Sequence, residues 1–157
     1  MDGNPLTSNL IEVHVTNIST IVSLSRLVPE FSNPYHEETY HQRIGNREHL
    51  LLAASVSQQL VGFKAGYARE ENGYFYSWMG GVLPDFRRLG VAKALAEFQE
   101  KWAIDKGYSH IHMKTRNMHK NMLLFSISRG FQITRVEASD TIGENRIYLE
   151  KKLKKLT

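Results

Sequence analysis

The sequence is most informative between residues 80 and 92, where it reads Gly80-Gly81-Val82-Leu83-Pro84-Asp85-Phe86-Arg87-Arg88-Leu89-Gly90-Val91-Ala92. Paired glycines inside a strand weaken it and often mark a bulge or a close approach of backbone. Pro84 cannot donate a ladder hydrogen bond, so the strand is expected to end there. The residues that follow predict a long amphipathic helix, because apolar side chains recur at spacings of four, three and four, at Val91, Leu95, Phe98 and Trp102.

The turn between this strand and this helix has the properties of an anion-binding site. The start of a helix leaves about four N–H groups unpaired and carries partial positive charge, and both attract phosphate. Gly90 lets a phosphate approach the backbone, Arg87 and Arg88 add donors and charge, and the small Ala92 keeps the first turn open. The spacing fits neither the Lys-Ser/Thr phosphate loop nor the dinucleotide glycine fingerprint. NTPase and dehydrogenase are therefore poor interpretations.

Working outward, the hydrophobic pattern predicts one α/β domain with a mixed sheet. Alternating, continuously apolar or aromatic-rich runs predict strands at residues 10–15, 50–55, 60–69, 74–83, 110–115, 131–136 and 146–149. Helical spacing predicts three further helices, at residues 18–28, 35–44 and 121–128. Three strands in close succession form an antiparallel meander, and a strand–helix–strand unit follows them. We therefore expect a mostly antiparallel mixed sheet with helices on both faces.

Composition limits the class of protein. The chain has 157 residues, of which 41% are hydrophobic and 23% charged, which suits a single domain spanning residues 1–157. The absence of cysteine excludes disulfide scaffolds and thiolate metal sites. The longest apolar run, residues 50–54, is far shorter than the roughly 20 residues of a membrane helix, and the first residues do not resemble a secretion signal. A cytoplasmic protein without a membrane partner is the expectation.

The basic character of the chain is concentrated at its end. The net charge is +4, from 20 basic and 16 acidic residues. Residues 151–157 hold four lysines and no acid, so the rest of the chain is neutral, with 16 residues of each sign. This pattern predicts a solvated basic tail beyond a core of residues 8–152. It does not favour a nucleic-acid partner, which would require a basic face.

Taken together, these features resemble the GCN5-related N-acetyltransferase (GNAT) superfamily. Its signature is Arg/Gln-x-x-Gly-x-Gly/Ala at the start of a long helix, just after a strand that ends Val-x-Pro. The matching residues are Val82-Leu83-Pro84 and Arg87-Arg88-Leu89-Gly90-Val91-Ala92. Three later segments resemble that family's strand, short helix and closing Gly-Phe, at residues 114–117, 121–124 and 129–131. The resemblance in element order extends over roughly residues 8–152.

The resemblance implies a site for acetyl-CoA in a sheet that opens between residues 80–83 and 110–115. Its pyrophosphate would lie on the N–H groups of Arg88, Leu89, Gly90, Val91 and Ala92, near the side chain of Arg87. Its pantetheine arm would pair with Val82, Leu83 and Pro84, and Asn117 or Asn121 would contact the far side of the arm. The primary amine of a small molecule or peptide would attack the thioester directly. The N–H of Val82 would stabilise the developing oxyanion.

Two catalytic positions depart from the family's pattern. Many members place a tyrosine four residues before the closing glycine, where it protonates the leaving thiolate, and this chain has Ser126 there. A glutamate often precedes Val82 on its strand as a general base, but residues 74–81 contain no acid or histidine. Glu70, acting through water, is the remaining candidate base, and Tyr148 is a second candidate acid. Asn121 is also open to a purely structural interpretation as a helix cap.

The acceptor is not defined by the sequence. The resemblance implies that the second helix borders the acceptor site, so Tyr35, Glu38 and Trp78 are candidate contacts, although Trp78 also suits the core. His110 and His112 share one face of a strand but lack a third ligand, so no metal is expected. A homodimer is possible. A non-catalytic acyl-CoA binding or sensing domain remains the alternative, because both usual catalytic groups are missing.

Overall fold

The computed structural model describes residues 10–155, and in this part of the chain seven strands form one sheet. The strands are β1 Ile11–Val15, β2 His49–Val56, β3 Gln59–Tyr67, β4 Tyr74–Val82, β5 His110–Arg116, β6 Gln132–Glu137 and β7 Arg146–Lys152. The α-helices are α1 Ile18–Ser25, α2 Glu37–Ile44, α3 Val91–Asp105 and α4 Lys120–Ser128. Within this range no helix combines the length and apolar character that crossing a membrane requires.

The strand order is β1-β2-β3-β4-β5-β7-β6. Only β4 and β5 run parallel, because α3 connects them, and every other neighbouring pair is antiparallel. This confirms the predicted mixed, mostly antiparallel sheet. The first helix is shorter than predicted and ends at Ser25, because Leu27 and Val28 donate to the carbonyls of Leu24 and Ser25 in a tighter turn ahead of Pro29.

Each face of the sheet is covered by its own helices. On one face, α1 and α2 bury Ile21, Tyr40 and Phe63. On the other, α3 covers Leu52 and Phe75, and α4 contacts the same face through Met113 of β5. We refer to these as the α1–α2 face and the α3–α4 face. The expectation of helices on both faces is confirmed.

The predicted basic tail is partly wrong. Strand β7 continues to Lys152, and the ammonium of Lys151 lies 2.8 Å from a carboxylate oxygen of Glu100 on α3. The guanidinium of Arg129, just after α4, lies 2.7 Å from the other oxygen. The three side chains are only 15–23% exposed. Lys151 is therefore part of a shielded ion network that joins α3, α4 and β7, because β-pairing continues beyond the apolar residues.

Replacing Glu100 by glutamine is expected to destabilise the fold by about 2 kcal/mol, because it leaves two shielded cations without a counter-charge. For a chain of this size the thermal midpoint should fall by roughly 4–8 °C. Glu97→Gln is the matched control on the same helix, since Glu97 forms an exposed pair with Lys93 at 3.9 Å. That change should cost less than about 0.5 kcal/mol. Equal midpoints for the two variants would contradict the role given to Glu100.

Candidate active site

The sheet opens between β4 and β5. The two strands pair over only three positions, and the last of these joins Tyr76 to His112. Beyond it, β4 stays paired with β3 as far as Val82, and β5 stays paired with β7 as far as Arg116. The two halves of the sheet therefore diverge and leave a wedge between free strand edges. The predicted opening is confirmed.

A bulge in β4 lies at the base of this wedge. Ala65 and Gly66 are consecutive on β3, yet they pair with Met79 and Ser77, so Trp78 is the extra residue on β4. The paired glycines suggested a bulge, and it lies two residues before them. Gly81 instead allows β4 to pack closely against Val28, because a Cβ on Gly81 would be only 3.0 Å from a methyl of Val28. A larger residue at Gly81 would push this methyl and the strand apart.

The backbone of Val82 faces the wedge. Leu83 donates its N–H to the carbonyl of Val61 on β3 at 2.8 Å. Because backbone groups of an antiparallel strand alternate in direction, the N–H and carbonyl of Val82 point away from β3. The carbonyl accepts a 2.9 Å hydrogen bond from Nε of Arg87. The N–H is thus directed to the place where the predicted oxyanion would form.

The turn before α3 has an unusual backbone and an uncapped helix start. Arg88 and Gly90 both have positive φ, at 64° and 94°. Gly90 is the N-cap and has no side chain to accept from the helix, whose first backbone bond runs from Ala94 to Gly90. The N–H groups of Val91, Ala92 and Lys93 therefore have no partner within the helix. Residues 87–90 are exposed, so this turn fits an anionic ligand such as pyrophosphate.

Arg87 has a different role from the one predicted. Its two terminal nitrogens lie 2.8 and 2.7 Å from the carboxylate oxygens of Glu30, which follows α1. This bidentate pair lowers the pKa of Glu30 and raises that of Arg87. Since its Nε already donates to Val82, the guanidinium has few donors left for a ligand. Arg87 ties the turn to β4 and to the segment after α1. Among the described residues of this turn, 87–90, Arg88 is the one cation left without a side-chain partner.

Replacing Glu30 by glutamine is expected to weaken CoA binding about threefold to tenfold, because the turn loses a tether that pre-organises it. Both side chains are more than one-third exposed, so the fold should lose less than about 1 kcal/mol. The lowered pKa means that the pair is intact at neutral pH and is lost only as pH falls through that value. Calorimetric titration with CoA, with Glu97→Gln as control, measures the change. Tighter binding in Glu30→Gln would instead show that Arg87 binds the ligand once freed.

The two asparagines differ in their surroundings. The side chain of Asn117 donates to the carbonyl of Ile142 at 3.3 Å and accepts from Lys120 at 2.7 Å. Asn117 therefore connects the end of β5 to the segment before β7. Asn121 is exposed in the first turn of α4, whose N-cap is His119, so its interpretation as a helix cap is wrong. Its amide remains available to a ligand.

Ser126 is a poor candidate acid in this structure. The residue is 3% exposed, and its hydroxyl donates to the carbonyl of Met122 at 2.9 Å, one helical turn earlier. The sulfur of Met113 lies 3.3 Å from the hydroxyl oxygen of Ser126. The proton is already engaged by the helix backbone, so the catalytic role predicted for Ser126 is not retained.

The other two catalytic candidates lie away from Val82. Glu70 is exposed in the turn before β4 and accepts from Asn72 at 3.2 Å. Val82 ends that strand, about 26 Å from its first residue, Tyr74, at ~3.3 Å per residue. The phenol of Tyr148, two strands from β4, donates to Glu137 at 3.2 Å, and Cζ of Arg135 lies 4.0 Å from its ring centroid. Neither group can reach a carbonyl that binds at Val82. Glu70 is too far away, and the side chain of Tyr148 is held by its contacts with Glu137 and Arg135 of β6.

Two of the three predicted acceptor residues lie together. Trp78 packs on the α1–α2 face, where its ring centroid is 5.7 Å from that of Tyr35 and 4.9 Å from that of Tyr40. Tyr35 is 38% exposed, so this aromatic group reaches the surface beside the bulge. Glu38 is separate: it is exposed, bonds to Gln42 and lies two residues from the buried Tyr40, on the other side of α2.

Sequence reasoning missed Lys64, which lies on β3 beneath α3. It pairs with Leu52 and Gly80, and its ammonium is 3.8 Å from the position that a Cβ on Gly80 would occupy. The side chain therefore passes over a residue without a side chain, next to the free edge of β4. Burial lowers the pKa of Lys64 to about 8, although nearby Glu100 opposes the shift. A signal was present, since Lys64 is flanked by glycines at positions 62 and 66 on the predicted face.

The comparison with protein families now identifies the chain. The model of the acetyltransferase (GNAT) family matches residues 21–131, so the chain belongs to this family, whose co-substrate is acetyl-CoA. Among curated proteins, an acetyltransferase of Pectobacterium atrosepticum is 33% identical over 81 residues. That match covers 51% of this chain and 55% of the relative, so the chain spans about half the length of the curated relative it matches.

Solved structures agree on the fold. The ribosomal-protein-S18-alanine N-acetyltransferase of Escherichia coli superposes with a TM-score of 0.79 at 16% identity, covering 94% of this chain and 96% of that one. A GNAT family acetyltransferase of Elizabethkingia anophelis with acetyl-CoA bound gives a TM-score of 0.73 at 18% identity, covering 92% and 99%. At these identities the likeness concerns the fold alone.

Proposed function

We propose that this chain is an acetyl-CoA-dependent N-acetyltransferase that passes an acetyl group directly to the primary amine of a small molecule or peptide. One observation carries the proposal: the outward-facing N–H of Val82, where the sheet opens, and the uncapped start of α3 lie at the two ends of one short segment, residues 83–90. An acyl donor with a phosphate group at a distance from its thioester matches this arrangement.

The binding part of the proposal assigns a role to each part of this arrangement. The N–H groups of Arg88, Leu89, Gly90, Val91 and Ala92 bind the pyrophosphate. The pantetheine arm lies along Val82, Leu83 and Pro84, in the position that a neighbouring strand would take. Asn121, exposed at the start of α4, donates to the arm from the opposite side of the wedge, and Asn117 supports this end of β5.

The chemical part of the proposal assigns the proton donor to Lys64. Acetyl-CoA supplies the acetyl group as a thioester. The lone pair of the acceptor amine forms the new N–C bond, and the N–H of Val82 stabilises the oxygen while the C–S bond breaks. The thiolate then takes a proton from the Lys64 ammonium, and the proton lost by the amine returns to Lys64 through solvent. An ammonium with a pKa of about 8 is well matched to a thiol near 8.5.

The test is amine-dependent release of free thiol from acetyl-CoA, together with the mass of the acetylated product, across a panel of small amines and peptides. We expect at least one class of amine to be acetylated at a rate well above hydrolysis of acetyl-CoA alone. Binding of acetyl-CoA without transfer to any amine of the panel would contradict the proposal. It would favour a non-catalytic acyl-CoA sensor. This alternative is supported by Ser126, whose hydroxyl is already hydrogen-bonded to the backbone of its own helix.

A further inference from the structure

Four cationic side chains converge beside the wedge, on the α1–α2 face of the sheet. We call Arg43, Arg69, Lys114 and Arg146 the cationic cluster. Cζ of Arg69 is 5.3 Å and Nζ of Lys114 is 6.0 Å from the ring centroid of Tyr76. Cζ of Arg43 is 5.2 Å from the ring of Trp78. Arg146, at the start of β7, pairs across the sheet with Arg116, next to Lys114.

In the part of the chain that the structure describes, the cluster forms no ion pair with an acidic side chain. Within residues 10–155, none of its four side chains comes within 4.0 Å of a carboxylate oxygen, whereas the neighbouring Arg116 is paired with Glu144 at 3.2 Å. The nearby acids are engaged elsewhere: Glu70 accepts from Asn72, and Glu137 accepts from Tyr148 and lies 3.8 Å from Arg135.

Like charges without partners raise the free energy of the fold. Burial lowers the pKa of Lys114, and repulsion from Arg69, Arg146 and Arg43 lowers it further. Groups perturbed in this way are enriched at functional sites, and a convergent field of one sign attracts the opposite charge. Glu137 opposes this shift in the pKa of Lys114 but is engaged by Tyr148 and Arg135, so an anionic ligand would supply a partner that the described residues do not.

The position of the cluster links it to the acceptor. Lys114 and Trp78 each lie two residues beyond the last β4–β5 pair, Tyr76 with His112, so they lie on either side of the base of the wedge. Lys64 and the α3 start lie on the opposite face. An acceptor that reaches Val82 from the α1–α2 face therefore passes the cluster, over the packed rings of the exposed Tyr35 and the half-buried Trp78.

We infer that the acceptor is an anionic amine, whose carboxylate or phosphate binds the cationic cluster while its amino group enters the wedge. Guanidinium groups suit both anions, because their planar forks donate two hydrogen bonds at once. The rings of Tyr35 and Trp78 can pack against an apolar spacer that separates the amino group of the acceptor from its anionic group. Polyamines and aminoglycosides are disfavoured by the same charges. This inference rests on the proposed acetyltransferase function.

The first experiment compares matched acceptors. Each pair contains an amine with a carboxylate or phosphate and its neutral amide or alcohol analogue, and thiol release gives kcat/KM. We expect the anionic member to be favoured at least tenfold, mainly through KM. Lys114→Met and Arg43→Met should remove this preference and spare the neutral member, while Lys101→Met, a distant exposed lysine, should change nothing. Preference for neutral or polycationic amines, or equal losses for both members, would overturn the inference.

A second measurement does not depend on turnover. In saturating CoA, inorganic phosphate should raise the thermal midpoint of the wild-type chain above that in chloride of equal ionic strength. Arg43→Met/Lys114→Met should lose this increment. If the increment is the same in both proteins, or absent from both, the inference fails even where acetyl transfer is observed. If the increment depends on the cluster but no amine is acetylated, the proposed function fails and the anion site stands.

Discussion

Replacing Lys64 by methionine is expected to lower kcat about 10²-fold, because the leaving thiolate loses its proton donor. Methionine has nearly the same length and is apolar, so the buried position should keep its packing and stability. The profile of kcat against pH is the sharper readout. The wild-type rate should fall as pH rises through about 8, where Lys64 loses its proton, and Lys64→Met should lack this alkaline limb.

The control for Lys64 is Ser126→Ala. The hydroxyl of Ser126 donates to the backbone of its own helix, so its removal should leave kcat within about twofold and the alkaline limb in place. If kcat fell about 10²-fold in Ser126→Ala and changed little in Lys64→Met, the proton donor would be Ser126 on α4. An unchanged alkaline limb in Lys64→Met would contradict the assignment even if kcat fell.

Replacing Gly90 by valine is expected to weaken CoA binding at least about 30-fold. Gly90 has φ of 94°, where a β-branched residue is strained by about 1–3 kcal/mol. Space is not the limit, since a Cβ there would meet only Ile11, at 3.9 Å. The strain would instead shift the backbone of residues 88–92 and misdirect the N–H groups that bind pyrophosphate. Calorimetric titration with CoA gives the affinity.

Gly107→Val is the matched control for Gly90. Gly107 ends the same helix with φ of 91°, and a Cβ there would meet nothing within 4 Å. Both variants should therefore lose similar stability through backbone strain, measured by thermal unfolding. Only Gly90→Val should lose CoA affinity. Equal affinities in the two variants would mean that the turn before α3 does not bind the ligand.

The strands, the helices and their order could be predicted from the sequence, because the sequence patterns that specify them are local. Alternation, helical spacing, Pro84 and the glycines each act over a few residues, and they predicted the strands, the helices and the order that the structure shows. The opening between β4 and β5 was predicted from the family resemblance. The structure explains it, because the two strands stop pairing at Tyr76, one residue before the bulge region of residues 77–79.

The partners of the charged side chains could not be read in this way. Glu30 and Arg87 are 57 residues apart, and Lys151 and Glu100 are 51 apart. No periodicity relates such positions, because only tertiary packing brings them together. The same reason explains why the sequence predicts a ligand contact at Arg87 and a solvated tail at Lys151, and why it does not identify Lys64. Ser126 differs, because the hydrogen bond that engages its hydroxyl lies within its own helix.

Calorimetric titration of the wild-type chain with CoA and with pantetheine tests the central claim most directly. Pantetheine keeps the arm that pairs with β4 and lacks the pyrophosphate. The account predicts saturable binding of CoA, at least tenfold weaker binding of pantetheine, and loss of this difference in Gly90→Val. Equal affinity for the two ligands, or no binding of CoA at millimolar concentration, would contradict the assignment of residues 88–92 as the pyrophosphate site.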